Sequence, residues 1–225
     1  MTMVESGFAK WLDLTFAGFD GSLLEFYHAL AESGSAVLTP IMRFVSFTGD
    51  KGILLLLISL ALCLFTKTRK SGVCMFGAIC CGALMTNVIL KEMIARIRPY
   101  EASEVFREFW IFVGAHAESE FSFPSGHTTA AAAAATGLWL TGGKKYLAVS
   151  VPYVVLMAVS RNYFIVHYPT DVIAGAFVGT LGGIIAYFIT KRMYDALHAH
   201  ADGKICRFVL EFDLIRLFRR IRKED

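Results

Sequence analysis

Three short groups of residues have the types and spacing to do chemistry together. Lys91 stands ahead of Arg98-Pro99, the run Pro124-Ser125-Gly126-His127 follows, and Ser160-Arg161 then precedes His167 and Asp171. Between them they offer ammonium and guanidinium groups, two imidazoles and the free N–H groups of a helix start. Those are the features that hold a phosphate and react with it. Each group also sits at the end of an apolar run.

The spacing assigns each group a task. Lys91 and Arg98 are seven residues apart, which on one α-helix returns them to within about 20° of the same face, and Pro99 is expected to stop that helix. Two stacked cations can grip different oxygens of one phosphate, the arginine bidentately. The same pair suits snorkelling to head groups, as does Arg96. Pro124-Ser125-Gly126-His127 opens an Ala-rich segment, so its N–H groups and dipole make an anion site. Gly126 lets a phosphate approach the backbone, Ser125 can donate its hydroxyl, and His127 reaches the same point; a plain helix cap with an incidental histidine is the other reading. Arg161 adds a third cation. His167 lies four residues before Asp171, and Tyr168-Pro169-Thr170 predicts an extended turn into the next helix. There Asp171 can accept the proton on one imidazole nitrogen and leave the other lone pair free to attack. A metal held by His127, His167 and Asp171 is the rival, disfavoured because three nearby cations would repel a divalent ion. A cation-rich site suits a trianionic phosphoryl transition state, with the cations standing where a metal would, so neither metal nor cofactor is expected.

These groups must be carried by membrane helices. Of 225 residues, 56% are hydrophobic and 18% charged, and the mean hydropathy is +0.55, outside the range of a soluble domain. The fold class expected is all-α, an integral membrane helical bundle. Apolar runs at Ile53–Phe65, Val73–Ile97, Thr128–Leu140, Tyr146–Val166 and Val172–Thr190 give five spans at about 20 residues each, the first extended backwards through Ile41-Met42 and Phe44-Val45. From Phe8 to Ala31 the charges Lys10, Asp13, Asp20 and Glu25 intervene, each costing ~2.5–3.5 kcal/mol at a bilayer centre. An interfacial amphipathic helix is expected there, with a sixth span left open. No signal-peptide pattern is visible. The chain divides into an N-terminal interfacial segment (1–48), a membrane-embedded core (49–192) and a basic amphipathic tail (193–225). In that tail Ile205, Phe208, Val209, Phe212, Ile215 and Phe218 recur at helical period beside Arg207, Arg216, Arg219, Arg220, Arg222 and Lys223, which suits anionic lipid. Cys63, Cys74, Cys80 and Cys81 fall in spans and Cys206 in the tail, so no disulfide framework is expected.

Lysine and arginine placement sets the sides. Lys67, Arg69 and Lys70, then Lys144 and Lys145, then Lys191-Arg192 mark the cytoplasmic ends. All three chemical groups then fall on the opposite, extracytoplasmic face of a multi-pass plasma-membrane protein. The segment between Tyr100 and Phe121, with Glu101, Glu104, Glu108, Glu118 and Glu120 against Arg107, fits a translocated loop. The partner expected is a membrane lipid bearing a phosphate, not nucleic acid; oligomeric state is not legible.

In order and spacing the three groups resemble the tripartite signature of the type 2 phosphatidic acid phosphatase superfamily, membrane branch, over Gly49 to Thr190. The resemblance implies a metal-independent lipid phosphatase with a helical core. It implies His167 as a nucleophile that becomes phosphohistidine, Asp171 as its orienter, His127 as general acid, and Lys91, Arg98, Ser125, Gly126 and Arg161 as phosphate binders. Two departures stand out: family members commonly have six spans, and a glycine often lies two residues before the histidine where this chain has Ile165, expected to narrow the pocket. The substrate expected is undecaprenyl pyrophosphate, with phosphatidylglycerol phosphate and phosphatidic acid as runners-up, by analogy and topology. A haloperoxidase-like anion pocket and a non-enzymatic lipid binder or transporter are the remaining alternatives, the first at odds with lipid-length spans and the second with a complete catalytic set.

Overall fold

The computed structural model describes residues 5–215, so the tail residues Arg216, Phe218, Arg219, Arg220, Arg222 and Lys223 lie outside the described residues. Every regular element among the described residues is helical. In order these are α1 (Gly7–Thr48), a 3-10 turn (Asp50–Gly52), α2 (Ile53–Cys63), α3 (Arg69–Ala83), a π-helical turn (Leu84–Leu90), α4 (Lys91–Ile94), α5 (Pro99–Ala102), α6 (Glu104–Phe112), α7 (Gly126–Gly142), a second 3-10 turn (Lys144–Tyr146), α8 (Leu147–Tyr163), α9 (Pro169–Ala199) and α10 (Lys204–Glu211). Three stretches are long and apolar enough to cross a membrane: Gly7–Cys63, Arg69–Ala102 and Pro169–Ala199. With α7 and α8, of 17 residues each, they build an integral membrane bundle.

Small residues make its centre. In α7 and α9, Ala131, Ala133 and Ala186 are buried, as are Gly175, Gly179 and Gly182. Water gives no hydrophobic drive between helices in lipid, so close backbone approach and van der Waals contact take over. Gly179 shows how close: a Cβ there would stand 2.3 Å from the Thr129 carbonyl oxygen, and one at Gly175 would stand 2.6 Å from that of Ser125. Cys74 and Ala78 of α3 close the third side.

The first helix is 42 residues long. It is continuous from Gly7 to Thr48 except for a kink at Gly34. Its first part lies across one end of the bundle, with Ala9 and Leu12 on Ile94 and Phe123, and Leu24 on Ile165 and Tyr168. Beyond the kink it descends along α8, where Thr39 bonds Tyr163 at 2.6 Å and Thr48 bonds Tyr153 at 3.1 Å. The interrupting acids are not all turned to solvent: Asp20 is 2% exposed. Between α1 and α2 the chain breaks at Gly49–Gly52, where Lys51 (φ 48°) and Gly52 (φ 68°) adopt left-handed conformations. Lys51 is a non-glycine residue in a region that costs about 1–3 kcal/mol, and this break lines the site cavity.

The helix carrying Lys91 does not run on to Arg98. It ends at Ala95, a left-handed residue (φ 51°), and Arg98 is the extended N-cap of α5, with Pro99 opening that helix instead of stopping one. The stacked pair expected from helical period is therefore replaced by a turn that brings Arg98 round. At the other end of the bundle, Arg69 donates to the carbonyls of Val209 and Leu210 at 2.7 and 3.2 Å and to that of Phe212, holding α10 against the start of α3.

Candidate active site

The loop between α8 and α9 carries His167. Its sequence explains its shape: Tyr168 precedes a proline, is extended (φ −72°, ψ 152°), and Pro169 opens α9. Asp171, third in that helix, reaches back to accept the Tyr168 N–H at 2.9 Å, half of a capping box. This carboxylate is pinned at both oxygens. Ser122 Oγ donates to Oδ2 at 2.5 Å and Arg96 Nη1 to Oδ1 at 2.6 Å. Oδ2 stands 3.6 Å from His167 Nδ1, within ion-pair range, and the Ser122 backbone faces the same ring. The His167 carbonyl accepts from Asn162 Nδ2 at 2.9 Å.

On the other edge of the ring, Arg98 Nη1 lies 3.4 Å from Nε2. Arg98 is itself fixed by carbonyls, donating to Glu120 O at 2.8 Å and Val166 O at 2.7 Å. Burial, then the charges of Arg98, Arg161 and Lys91, hold the His167 imidazole well below its usual range. The ring is thereby neutral at pH 7, the form with a lone pair to give.

A cavity of about 150 Å³ is lined by Lys91, Arg98, Gly126, His127, Arg161 and His167 together. Six residues from all three sequence groups thus meet at one place. Gly126 and His127 form the first turn of α7, so their N–H groups point into this space. Ser125 does not line it. That residue is fully buried, its Oγ accepting from Thr128 at 3.1 Å and its N–H donating to the Asp171 carbonyl at 3.0 Å. Asp171 likewise stands behind His167. A second, larger cavity of about 400 Å³ adjoins on the far side of His127, sharing Asp50, Glu118, His127 and Arg161.

Two carboxylates are engaged with the cations. Glu120 pairs with Lys91, and Glu118 with Arg161, whose Nη1 also donates to Ser46 at 2.5 Å. Against burial, which would raise it, Arg161, Arg98 and Lys91 pull the Glu118 carboxyl below the usual range, so this acid sits as an anion beside Arg161. Ile165 is a further surprise. It is left-handed (φ 55°) and fully buried against Leu24 and Tyr168. Its side chain points to α1 and leaves the pocket width alone, correcting the narrowing expected from its type.

The model of the PAP2 superfamily matches residues 71–195. The chain belongs to the PAP2 superfamily. Among relatives, the undecaprenyl-diphosphatase of Sulfolobus acidocaldarius is 28% identical over 71% of this chain and 74% of its own. The lipid A 4'-phosphatase of Bacteroides thetaiotaomicron is 30% identical over 51% of this chain and 52% of that one. Phosphatidylglycerophosphatase B of Bacillus subtilis is 32% identical over 55% of each. The match thus spans about half the length of the latter two relatives. Among solved structures, Aquifex aeolicus LpxE superposes with a TM-score of 0.55 at 26% identity, covering 72% of this chain and 93% of that one. The PAP2-type phosphatidylglycerolphosphate phosphatase of Bacillus subtilis gives 0.52 at 25%, covering 84% and 96%. As a PAP2 membrane protein, the chain has its three motif groups inside the matched region.

Sequence reasoning missed Arg96, Asp13, Asp20, Ser122 and Asn162 as parts of this assembly. One signal could have found the first three. Charges inside apolar stretches are costly unless paired, and Asp13, Asp20 and Arg96 are such charges of opposite sign.

Proposed function

We propose that this PAP2 protein is a lipid phosphatase that works without a metal, through a phosphohistidine. The observation that carries the reading is the convergence of Lys91, Arg98 and Arg161 with His127 and His167 around one cavity. In the first step Nε2 of His167 attacks the terminal phosphorus. The N–P bond forms as the bond to the leaving oxygen breaks, and His127 gives that oxygen its proton. In the second step His127 takes a proton from water, the resulting hydroxide oxygen bonds to phosphorus, and the N–P bond breaks to release phosphate. Asp171 holds the ring. Lys91, Arg98, Arg161 and the Gly126 and His127 N–H groups stabilise the charge that builds on the phosphoryl oxygens, with Ser125 supporting that turn.

The favoured substrate is undecaprenyl diphosphate, ahead of phosphatidylglycerophosphate, phosphatidic acid and lipid A. Its support is the S. acidocaldarius relative, which aligns over more of this chain than the other two named. Five spans, a plasma-membrane location and an extracytoplasmic site complete the reading, supported by Lys67, Arg69, Lys70, Lys144, Lys145, Lys191 and Arg192 at the opposite helix ends. The test is phosphate release from these four lipids in detergent micelles, compared by kcat/KM. Undecaprenyl diphosphate should lead; release from none of them would remove the enzymatic reading.

A further inference from the structure

The mechanism above makes no use of the acids of α1, yet they are placed where charge is costly. Arg96 is 1% exposed and Asp20 2%. Nε of Arg96 donates to Asp13 at 2.8 Å and Nη2 to Asp20 at 2.9 Å, while Nη1 donates to Thr170 Oγ1 at 2.7 Å and to Asp171 at 2.6 Å. Asp20 also accepts the N–H and hydroxyl of Thr170, at 2.9 and 2.7 Å. The guanidinium lies 3.9 Å over the Tyr168 ring. One residue further on, the Ile97 N–H donates to Glu5 at 3.1 Å. The start of the first helix therefore grips both the carboxylate behind His167 and the turn that delivers Arg98.

One guanidinium meets three carboxylates, so acidic groups outnumber it in this cluster. An arginine paired with Asp171 alone would draw that carboxylate's charge away from the imidazole. Shared with Asp13 and Asp20, it fixes Oδ1 while leaving Oδ2 able to support positive charge on the ring.

We propose that Asp20 and Asp13 of the first helix are positioning residues for catalysis, acting through Arg96 to set the orientation and charge that Asp171 presents to His167. Docking of α1 and turnover are thereby coupled. The inference rests on the phosphatase reading, and the test separates the two.

The groups facing His167 are Arg98, Arg161, Lys91, His127 and Asp171, with Glu118 and Glu120 on the cations and Arg96, Asp13 and Asp20 behind Asp171. D20N removes a negative charge from that rear shell, so protonation of His167 becomes harder and the acid limb of the pH–rate profile moves to lower pH. R96Q removes the cation, and the limb moves the other way. A role confined to packing gives no such opposition. With undecaprenyl diphosphate in detergent micelles, D20N should lower kcat about 10-fold or more, the size expected when one hydrogen bond to a charged group is lost. KM and the vanadate inhibition constant should stay close to wild type, and D20E should restore part of kcat. Should D20N not fold, D13N, whose side chain is 35% exposed, carries the test with a smaller shift of the same sign. A wild-type kcat and acid limb in D20N, or in D13N in its place, overturns the inference, as do equal losses of kcat and vanadate affinity. Absence of phosphate release by the wild-type protein removes the phosphatase reading itself.

Discussion

Nη1 of Arg98 stands 3.4 Å from Nε2 of His167, on the ring edge opposite the one Asp171 approaches. In the proposed mechanism this fixed cation keeps a proton off the attacking nitrogen and is at hand when the phosphoryl oxygens arrive. Binding and activation are therefore joined in one contact.

The depressed His167 predicts a pH dependence of stability. In the unfolded chain the ring takes a proton near its ordinary value of about 6.5, whereas the folded protein resists it. The unfolded state then binds more protons as pH falls, so the contribution present above that pH is lost below it. The apparent melting temperature in detergent should fall from pH 7.5 to pH 5 for the wild type and fall less for H167Q. Equal slopes would place the ring in a solvated setting.

Glu118 and Glu120 predict tighter anion binding when neutralised. On the proposed reading a phosphate displaces both carboxylates from Arg161 and Lys91, and that competition lowers its apparent affinity. In E118Q/E120Q the inhibition constant of vanadate, a five-coordinate mimic of the transition state, should fall roughly 3- to 10-fold. A rise would mean the acids hold the cations in place for substrate.

His127 predicts a dependence on the leaving group. Proton transfer by a placed side chain is worth about 100- to 10,000-fold, so H127N should lose that much turnover on lipid phosphate monoesters such as phosphatidic acid. An aryl oxide, or the phosphate that departs from undecaprenyl diphosphate, leaves without protonation, so the first step should be nearly normal there and phosphoenzyme should build up. An equal loss in the rate of the first step on both kinds of substrate would take the general-acid role away.

Gly179 predicts how tightly the core is closed. A Cβ there would overlap the Thr129 carbonyl, and overpacking costs about 1–3 kcal/mol. G179A should lower the melting temperature, while G21A, with nothing within 4 Å, should leave it unchanged or raise it, as alanine suits a helix better by about 1 kcal/mol. Equal effects would disprove the close helix contact.

The three motif groups were legible because phosphate chemistry needs particular residue types, and His167, Pro169 and Asp171 also dictate their own turn. Helical period misjudged Lys91 and Arg98, since nothing in Glu92 to Ile97 announces that Ala95 turns left-handed. Ile165 was misread for a related reason: its type suggests bulk, but its positive φ turns that bulk toward Leu24. The acids of α1 could be seen and could not be placed, because period marks a polar face without saying that Arg96 lies opposite. Glu118 and Glu120 were read as loop charge, and only the folded chain sets them on Arg161 and Lys91.

The central claim is that His167 carries the phosphoryl group. Rapid acid-free quenching of the protein with undecaprenyl diphosphate labelled in its terminal phosphate, followed by peptide mapping, tests it directly. The account predicts an acid-labile, base-stable label on His167 that grows in H127N and is missing in H167Q. Label on another residue, or full turnover by H167Q, would contradict it.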